Sequence, residues 1–255
     1  MEESCTLQFP GNVSSYRIAG MNVAIAGAEI LRTLGKDYIL QDGTEVDIAF
    51  DVSPDAQVLQ EKNQLVSWDK CCYIASGRRF YTHLLPFGGF ALHASAVVLD
   101  DRAYLFSADS GTGKSTHTSL WCSHFGRDQA YILNDDKPVI RKVGNQIMAF
   151  GTPWSGSSGI NKNASAPIAG IAFIEQSPLD WIRPAAPGEA LRQLLRQADP
   201  TLRPGGIGKL LSLLEDLIQN IPIYIMGCTI NNSAVLMAYN TMKNRTGEPV
   251  CTSLA

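Results

Sequence analysis

Residues 103–116 read AYLFSADSGTGKST. The apolar run Tyr104-Leu105-Phe106 centres an expected strand, Ser110 to Gly113 form a glycine-bearing turn, and Lys114-Ser115-Thr116 open an expected helix. Strand, glycine loop and helix, in that order, are what a phosphate-binding P-loop requires. Glycines let successive backbone N–H groups curl around phosphate oxygens, the helix N-terminus adds the positive end of its dipole, and Lys114 adds a full charge. On this reading Asp109, Ser110, Gly111, Thr112, Gly113, Lys114, Ser115 and Thr116 cradle nucleotide phosphates, with the Ser115 hydroxyl spaced to meet a magnesium ion. The pattern G-x-x-x-x-G-K-[ST] is broken at Ala108, where it asks for glycine; alanine costs little there if φ stays negative.

Upstream, Phe90 to Leu99 reads as a strand with Leu92, Ala94, Ala96 and Val98 on one face and His93, Ser95 and Val97 on the other. Asp100-Asp101 is a turn signal, so this strand and the P-loop strand form a tight hairpin that carries His93 toward the loop. Downstream, a helix to about Phe125 ends near Gly126, and a strand from Ala130 to Asn134 exits into Asp135-Asp136-Lys137-Pro138. Two acids at that strand end, about twenty residues past Lys114, sit where a Walker-B-type carboxylate belongs. Ser115, Asp135 and Asp136 are the candidate metal ligands; His93, Lys114, Asp135 and Asp136 are the candidate catalytic residues. Each has a plainer reading: a half-buried strand histidine bonded locally, and an Asp-Asp-x-Pro turn cluster. A hairpin around Gly144-Asn145 leads to residues 151–159, GTPWSGSSG, whose composition suits a binding loop, a lid or a simple connector.

The flanks carry less chemistry. Residues 1–85 read as a small β-rich region, with a turn at Asp42-Gly43, a short helix near Glu29 to Leu34, and a hairpin across Ser76-Gly77 joining Cys71–Ala75 to Arg79–Leu84. Residues 86–245 are the expected catalytic domain: after the loop come a strand at 168–175, amphipathic helices at 188–198 (stopped at Asp199-Pro200) and 207–218, a buried strand at 221–230, and a last helix from Ser233 capped by Asn232 or Ser233. Residues 246–255 are expected to be a disordered tail.

Composition excludes some function classes. The 255 residues are 45% hydrophobic and 18% charged with net charge -3, and the basic residues are scattered, so neither nucleic-acid binding nor membrane residence is expected. The acidic N-terminus lacks a basic, then apolar, leader pattern, which makes the cytoplasm the expected location. Six cysteines show no C-x-x-C spacing and read as reduced; Cys122 and His124, two apart on a helix, point in different directions and are not expected to share a metal.

The order His93-Ala94-Ser95-Ala96, hairpin, Asp109 to Ser115, then Asn134-Asp135-Asp136 resembles the C-terminal catalytic domain of bacterial HPr kinase/phosphorylase, which shares its fold with the nucleotide-binding part of phosphoenolpyruvate carboxykinase. The resemblance implies an α/β P-loop domain with a mixed central sheet and flanking helices, an ATP-type donor, Mg2+, and a centre built from the lysine, the aspartate pair and the histidine. Thr116 departs from the acidic residue usual in HPr kinase and looks closer to the carboxykinase form. Gly151-Thr152-Pro153-Trp154-Ser155-Gly156 resembles smaller HPr-kinase-like proteins, so HPr itself is not the implied acceptor. The expected activity is transfer of a phosphoryl group to a hydroxyl of a small molecule, peptide or protein. The alternatives are a nucleotide-binding accessory protein without turnover and a pyrophosphate-using carboxykinase-like enzyme. The family also raises the expectation of a homo-oligomer.

Overall fold

The computed structural model describes residues 12–41, 44–198 and 206–243. The Asp42-Gly43 turn, the Asp199-Pro200 stop and the expected tail lie outside them.

The chain places strands β1 (Val13–Ile18) and β2 (Met21–Ala26), helix α1 (Ile30–Leu34), β3 (Ile48–Asp51), α2 (Ser53–Lys62) and α3 (Trp68–Thr82) before residue 85. These strands form a sheet of their own, antiparallel between β1 and β2 and parallel between β2 and β3. The expectation of a β-rich region with a hairpin at Ser76-Gly77 is therefore corrected: residues 68–82 are one helix, capped by the Ser67 hydroxyl on the N–H of Lys70. Ser-Gly is no turn here. Gly77 is small because the indole of Trp154 presses on it; a Cβ at Gly77 would lie 3.0 Å from that ring.

The second part carries β4 (Gly89–Ala91), β5 (Ala94–Leu99), β6 (Arg102–Ser107), α4 (Lys114–Phe125), β7 (Tyr131–Asn134), β8 (Val139–Val143), β9 (Gln146–Phe150), β10 (Ser165–Gln176), β11 (Trp181–Pro184), α5 (Pro187–Gln197), α6 (Gly206–Asn220), β12 (Ile223–Cys228) and α7 (Asn232–Met242). The nine strands form one mixed sheet. β7, β5 and β6 pair antiparallel, β6, β10 and β12 pair parallel, and β11 closes antiparallel on β12. The twelve-residue β10 also pairs at its start with β9, which leads through β8 to β4.

The alternation expected of β5 and β6 is what separates two cores. Leu92, Ala94, Ala96, Val98 and Leu105 face α5 and α6, among Leu194, Leu210, Leu214 and Leu217. Val97, Leu99, Tyr104 and Phe106 face α4 and α7, where Trp121 is fully buried. Asp100 and Asp101 have φ of 52° and 57°, the paired positive angles of a two-residue hairpin turn. The expected strand 90–99 is broken at His93: the N–H of His93 donates to the carbonyl of Gln197, and that of Ala94 to the carbonyl of Asp136. The short strand β11 escaped the sequence reading, and α7 is entered from Asn231 with no side-chain cap.

The N-terminal sheet and α3 pack on this second part through Ala91, Val139 and Trp154. The guanidinium of Arg141 reinforces the seam, donating to the carbonyls of Phe87 and Ala19. Among the described residues no helix is long and apolar enough to cross a membrane.

Candidate active site

The loop after β6 adopts the geometry that its glycines allow. Gly111 and Gly113 have φ of 81° and 118°, values that L side chains rarely adopt. Ala108 is not among the residues with positive φ and is buried beside α4, so its Cβ is accommodated at the point where the motif departs from glycine. Lys114, 7% exposed, donates from Nζ to the carbonyls of Ala108 (2.8 Å) and Asp109 (3.1 Å). Burial lowers its pKa, while Asp136, Asp109 and Asp135 oppose that shift. Ser115 and Thr116 are exposed at the start of α4.

Both aspartates turn into the same cleft, and Asn134 is the reason. Its side-chain carbonyl accepts from the N–H of Asp136 (3.0 Å) and of Lys137 (2.7 Å), closing a turn at the end of β7. Its amide donates to the carbonyls of Thr152 (3.0 Å) and Trp154 (3.2 Å). The strand exit and the following loop are thus fixed to each other by one fully buried side chain. Asp135 is buried, and its Oδ1 accepts from the Ser95 hydroxyl at 2.6 Å. Ser95 lies 2.7 Å from the hydroxyl of Thr118 on α4. Asp136 is more open, with Oδ1 3.7 Å from Nε2 of His93.

His93 is half-buried. Burial and the charge of Lys114 lower its pKa and so favour the neutral ring. Its Nδ1 lies 3.0 Å from Oε1 of Gln197, whose amide nitrogen donates to Asp109 at 2.8 Å; Asp109 is also ion-paired with Arg196.

The opposite wall is the segment 151–159. Its first half is anchored rather than mobile: Trp154 is 4% exposed, stacks on Phe80 and donates from Nε1 to Ser76 (3.0 Å), and the N–H of Ser155 donates to the hydroxyl of Tyr73 (3.0 Å). Its second half, Gly156 to Gly159, reaches over the acids; a Cβ on Gly156 would lie 3.1 Å from Asp136.

These elements enclose a cleft of about 380 Å³ lined by His93, Ser110, Gly111, Gly113 to Thr116, Asp135, Asp136 and Ser155 to Ser158. The structure therefore brings His93, Lys114, Ser115, Asp135 and Asp136 to one place. Asp109 and Thr112 instead line a neighbouring cavity of about 510 Å³ with Arg196 and Gln197. A third, of about 560 Å³, lies beside Thr116, His117 and Leu120 and is closed by residues 228–231. Gly111 borders all three.

No family model matches the chain, and no curated protein matches it. Among solved structures it is similar to the HPr(Ser) kinase/phosphatase from Coxiella burnetii, at 12% identity and a TM-score of 0.35, over 59% of this chain and 87% of that one.

Sequence reasoning missed Ser95, Thr118, Asn134 and Gln197 as supports, and Tyr73, Ser76 and Gly77 as the seat of the loop. Only Asn134, beside the acid pair, carried a local hint.

Among the described residues no group of three or more His, Cys, Asp or Glu side chains is placed to hold a metal. Two carboxylates and a serine hydroxyl are all-oxygen donors, and magnesium takes only one or two carboxylates, completing its shell with water and substrate phosphate. The donor set fits that ion when a phosphate is present.

Proposed function

We propose that the protein is a magnesium-dependent kinase that moves a phosphoryl group from an ATP-type nucleotide to a hydroxyl acceptor. The observation that carries this reading is the convergence of Lys114, Asp135, Asp136 and His93 on one cleft with the N-terminus of α4. Loop amides and Lys114 bind the donor phosphates, and Ser115 with Asp135 would hold magnesium, which neutralises charge on the transferring group. The cavity beside Thr116 and His117 has room for the nucleoside end of the donor.

Asp136 is the proposed base, because it is the more open acid, faces His93 and lies under the Gly156 turn. It accepts the proton of the acceptor hydroxyl as the new oxygen–phosphorus bond forms. The bond from the γ-phosphorus to its bridging oxygen breaks, and the nucleoside diphosphate leaves with the electron pair. The acceptor approaches past residues 155–158, so its chemistry is selected by that serine- and glycine-rich wall. A small molecule, a peptide and a protein side chain all fit these terms.

The test is a screen of hydroxyl acceptors with γ-labelled ATP, beside nucleotide titration calorimetry. Asp136→Asn should keep magnesium–nucleotide affinity and lose turnover by about 100-fold or more. Full turnover by this variant and by Asp135→Asn would refute the reading, whereas binding with no transfer to any acceptor would favour an accessory, non-catalytic role.

A further inference from the structure

Gln197, at the end of α5, contacts His93 twice: its backbone carbonyl accepts from the His93 N–H at 2.8 Å, and its side chain meets Nδ1 at 3.0 Å. Gln197 is 6% exposed, and among the described residues its side chain has one other partner, Oδ1 of Asp109 at 2.8 Å. These contacts leave a single consistent assignment of protons. A carboxylate paired to Arg196 can only accept, so Asp109 must face the amide NH2 of Gln197. The carbonyl end of that amide then faces His93 and can only accept in turn. A neutral imidazole has one N–H, and it must be at Nδ1.

We infer that Gln197 is a positioning residue: oriented by Asp109, it holds His93 as the Nδ1–H tautomer and leaves Nε2 as a lone-pair acceptor on the cleft side, 3.7 Å from Asp136. A P-loop residue, Asp109, thereby sets the proton state of a side chain it does not touch. With Nε2 unprotonated, His93 cannot donate to Asp136 and does not hold that carboxylate back as a proton acceptor. This last step rests on the kinase reading; the tautomer does not.

The experiment is a two-bond 1H–15N correlation spectrum of the full chain labelled with 15N-histidine, at mildly alkaline pH, with His93 assigned from a His93→Gln sample. His117 is an internal standard. Its Nε2 accepts from the Trp121 indole at 3.1 Å, which fixes it as Nδ1–H whatever happens at His93. In the wild type, Nε2 of His93 should resonate at the position of an unprotonated ring nitrogen. A protonated Nε2 overturns the inference outright. In Asp109→Asn, a near-isosteric change, the residue can donate as well as accept, so the Gln197 amide is free to turn over. The His93 signals should then move toward the Nε2–H pattern while those of His117 stay. An unchanged His93 pattern in Asp109→Asn and also in Gln197→Leu would overturn it too. Since none of these spectra requires turnover, failure of the kinase reading would leave the result standing.

Discussion

The hydroxyl of Ser95 donates to the carboxylate of Asp135 at 2.6 Å, and both groups are buried. Ser95 is held in turn by Thr118 on α4, so strand β5, helix α4 and the acid at the end of β7 meet in three side chains. Hydrogen bonds to a charged group contribute about 1.5–3 kcal/mol, more than neutral ones. Ser95→Ala should cost that much in urea unfolding at neutral pH, with Ser95→Thr recovering part of it. A loss below about 0.5 kcal/mol would mean that water replaces the hydroxyl.

Asn134 should be among the least replaceable side chains. Replacing it with Leu removes the partner of the Asp136 and Lys137 N–H groups and of the buried Thr152 carbonyl, at about 1–3 kcal/mol for each group left unpaired, while the Trp154 carbonyl keeps the Thr152 hydroxyl. The expected outcome is loss of cooperative unfolding or a drop of at least about 3 kcal/mol. Nucleotide affinity should fall with it.

At Gly77 two effects compete. Alanine favours a helix interior over glycine by about 1 kcal/mol. The new Cβ, however, meets the Trp154 ring at 3.0–3.1 Å, and that ring is wedged against Phe80 and Tyr81. Overpacking of this kind costs about 1–3 kcal/mol. Gly77→Ala should therefore destabilise the protein and perturb its tryptophan fluorescence; a more stable variant would show that the indole can move.

Gly113→Ala has no such neighbour, since nothing lies within 4 Å of the added carbon. Its penalty is the backbone angle of 118°, about 1–3 kcal/mol for a non-glycine residue. Relaxing that angle would turn an amide away from the proposed phosphate cradle. Calorimetry should show weakened binding of ADP and of pyrophosphate alike, with little change in fold by circular dichroism.

His117 gives a pH prediction. Burial pushes its pKa down to about 4, from an ordinary value near 6.5 in the unfolded chain. Between those values the unfolded state binds the extra proton, so stability is full above about pH 6.5 and falls as pH drops toward 4, by about 3 kcal/mol. His117→Gln should flatten the pH dependence of the urea midpoint in that window. Parallel curves for variant and wild type would place the loss elsewhere.

The glycine loop after β6, the hairpin before it and the turn that carries Asp135 and Asp136 were legible because each is local: a strand, a turn and a helix start within a dozen residues. Residues 71–84 misled because their aromatic and branched side chains around Ser-Gly match a hairpin pattern, while the reason for Gly77 lies on Trp154, far along the chain. Gln197 was invisible for the same cause: it meets His93 across 104 positions. No periodicity or motif records a contact of that kind; only the folded sheet does.

The seating of Trp154 in α3 also bears on how such a protein could diversify. The groups proposed to handle phosphate sit just before β5, just after β7 and on α4, whereas the proposed acceptor wall is held by Tyr73 and Ser76 of the N-terminal layer. On that proposal, exchanging residues 12–82 together with 151–160 for those of another chain of this fold would set a new acceptor wall beside unchanged phosphate-handling groups. Exchanging either segment alone would leave an indole without its socket.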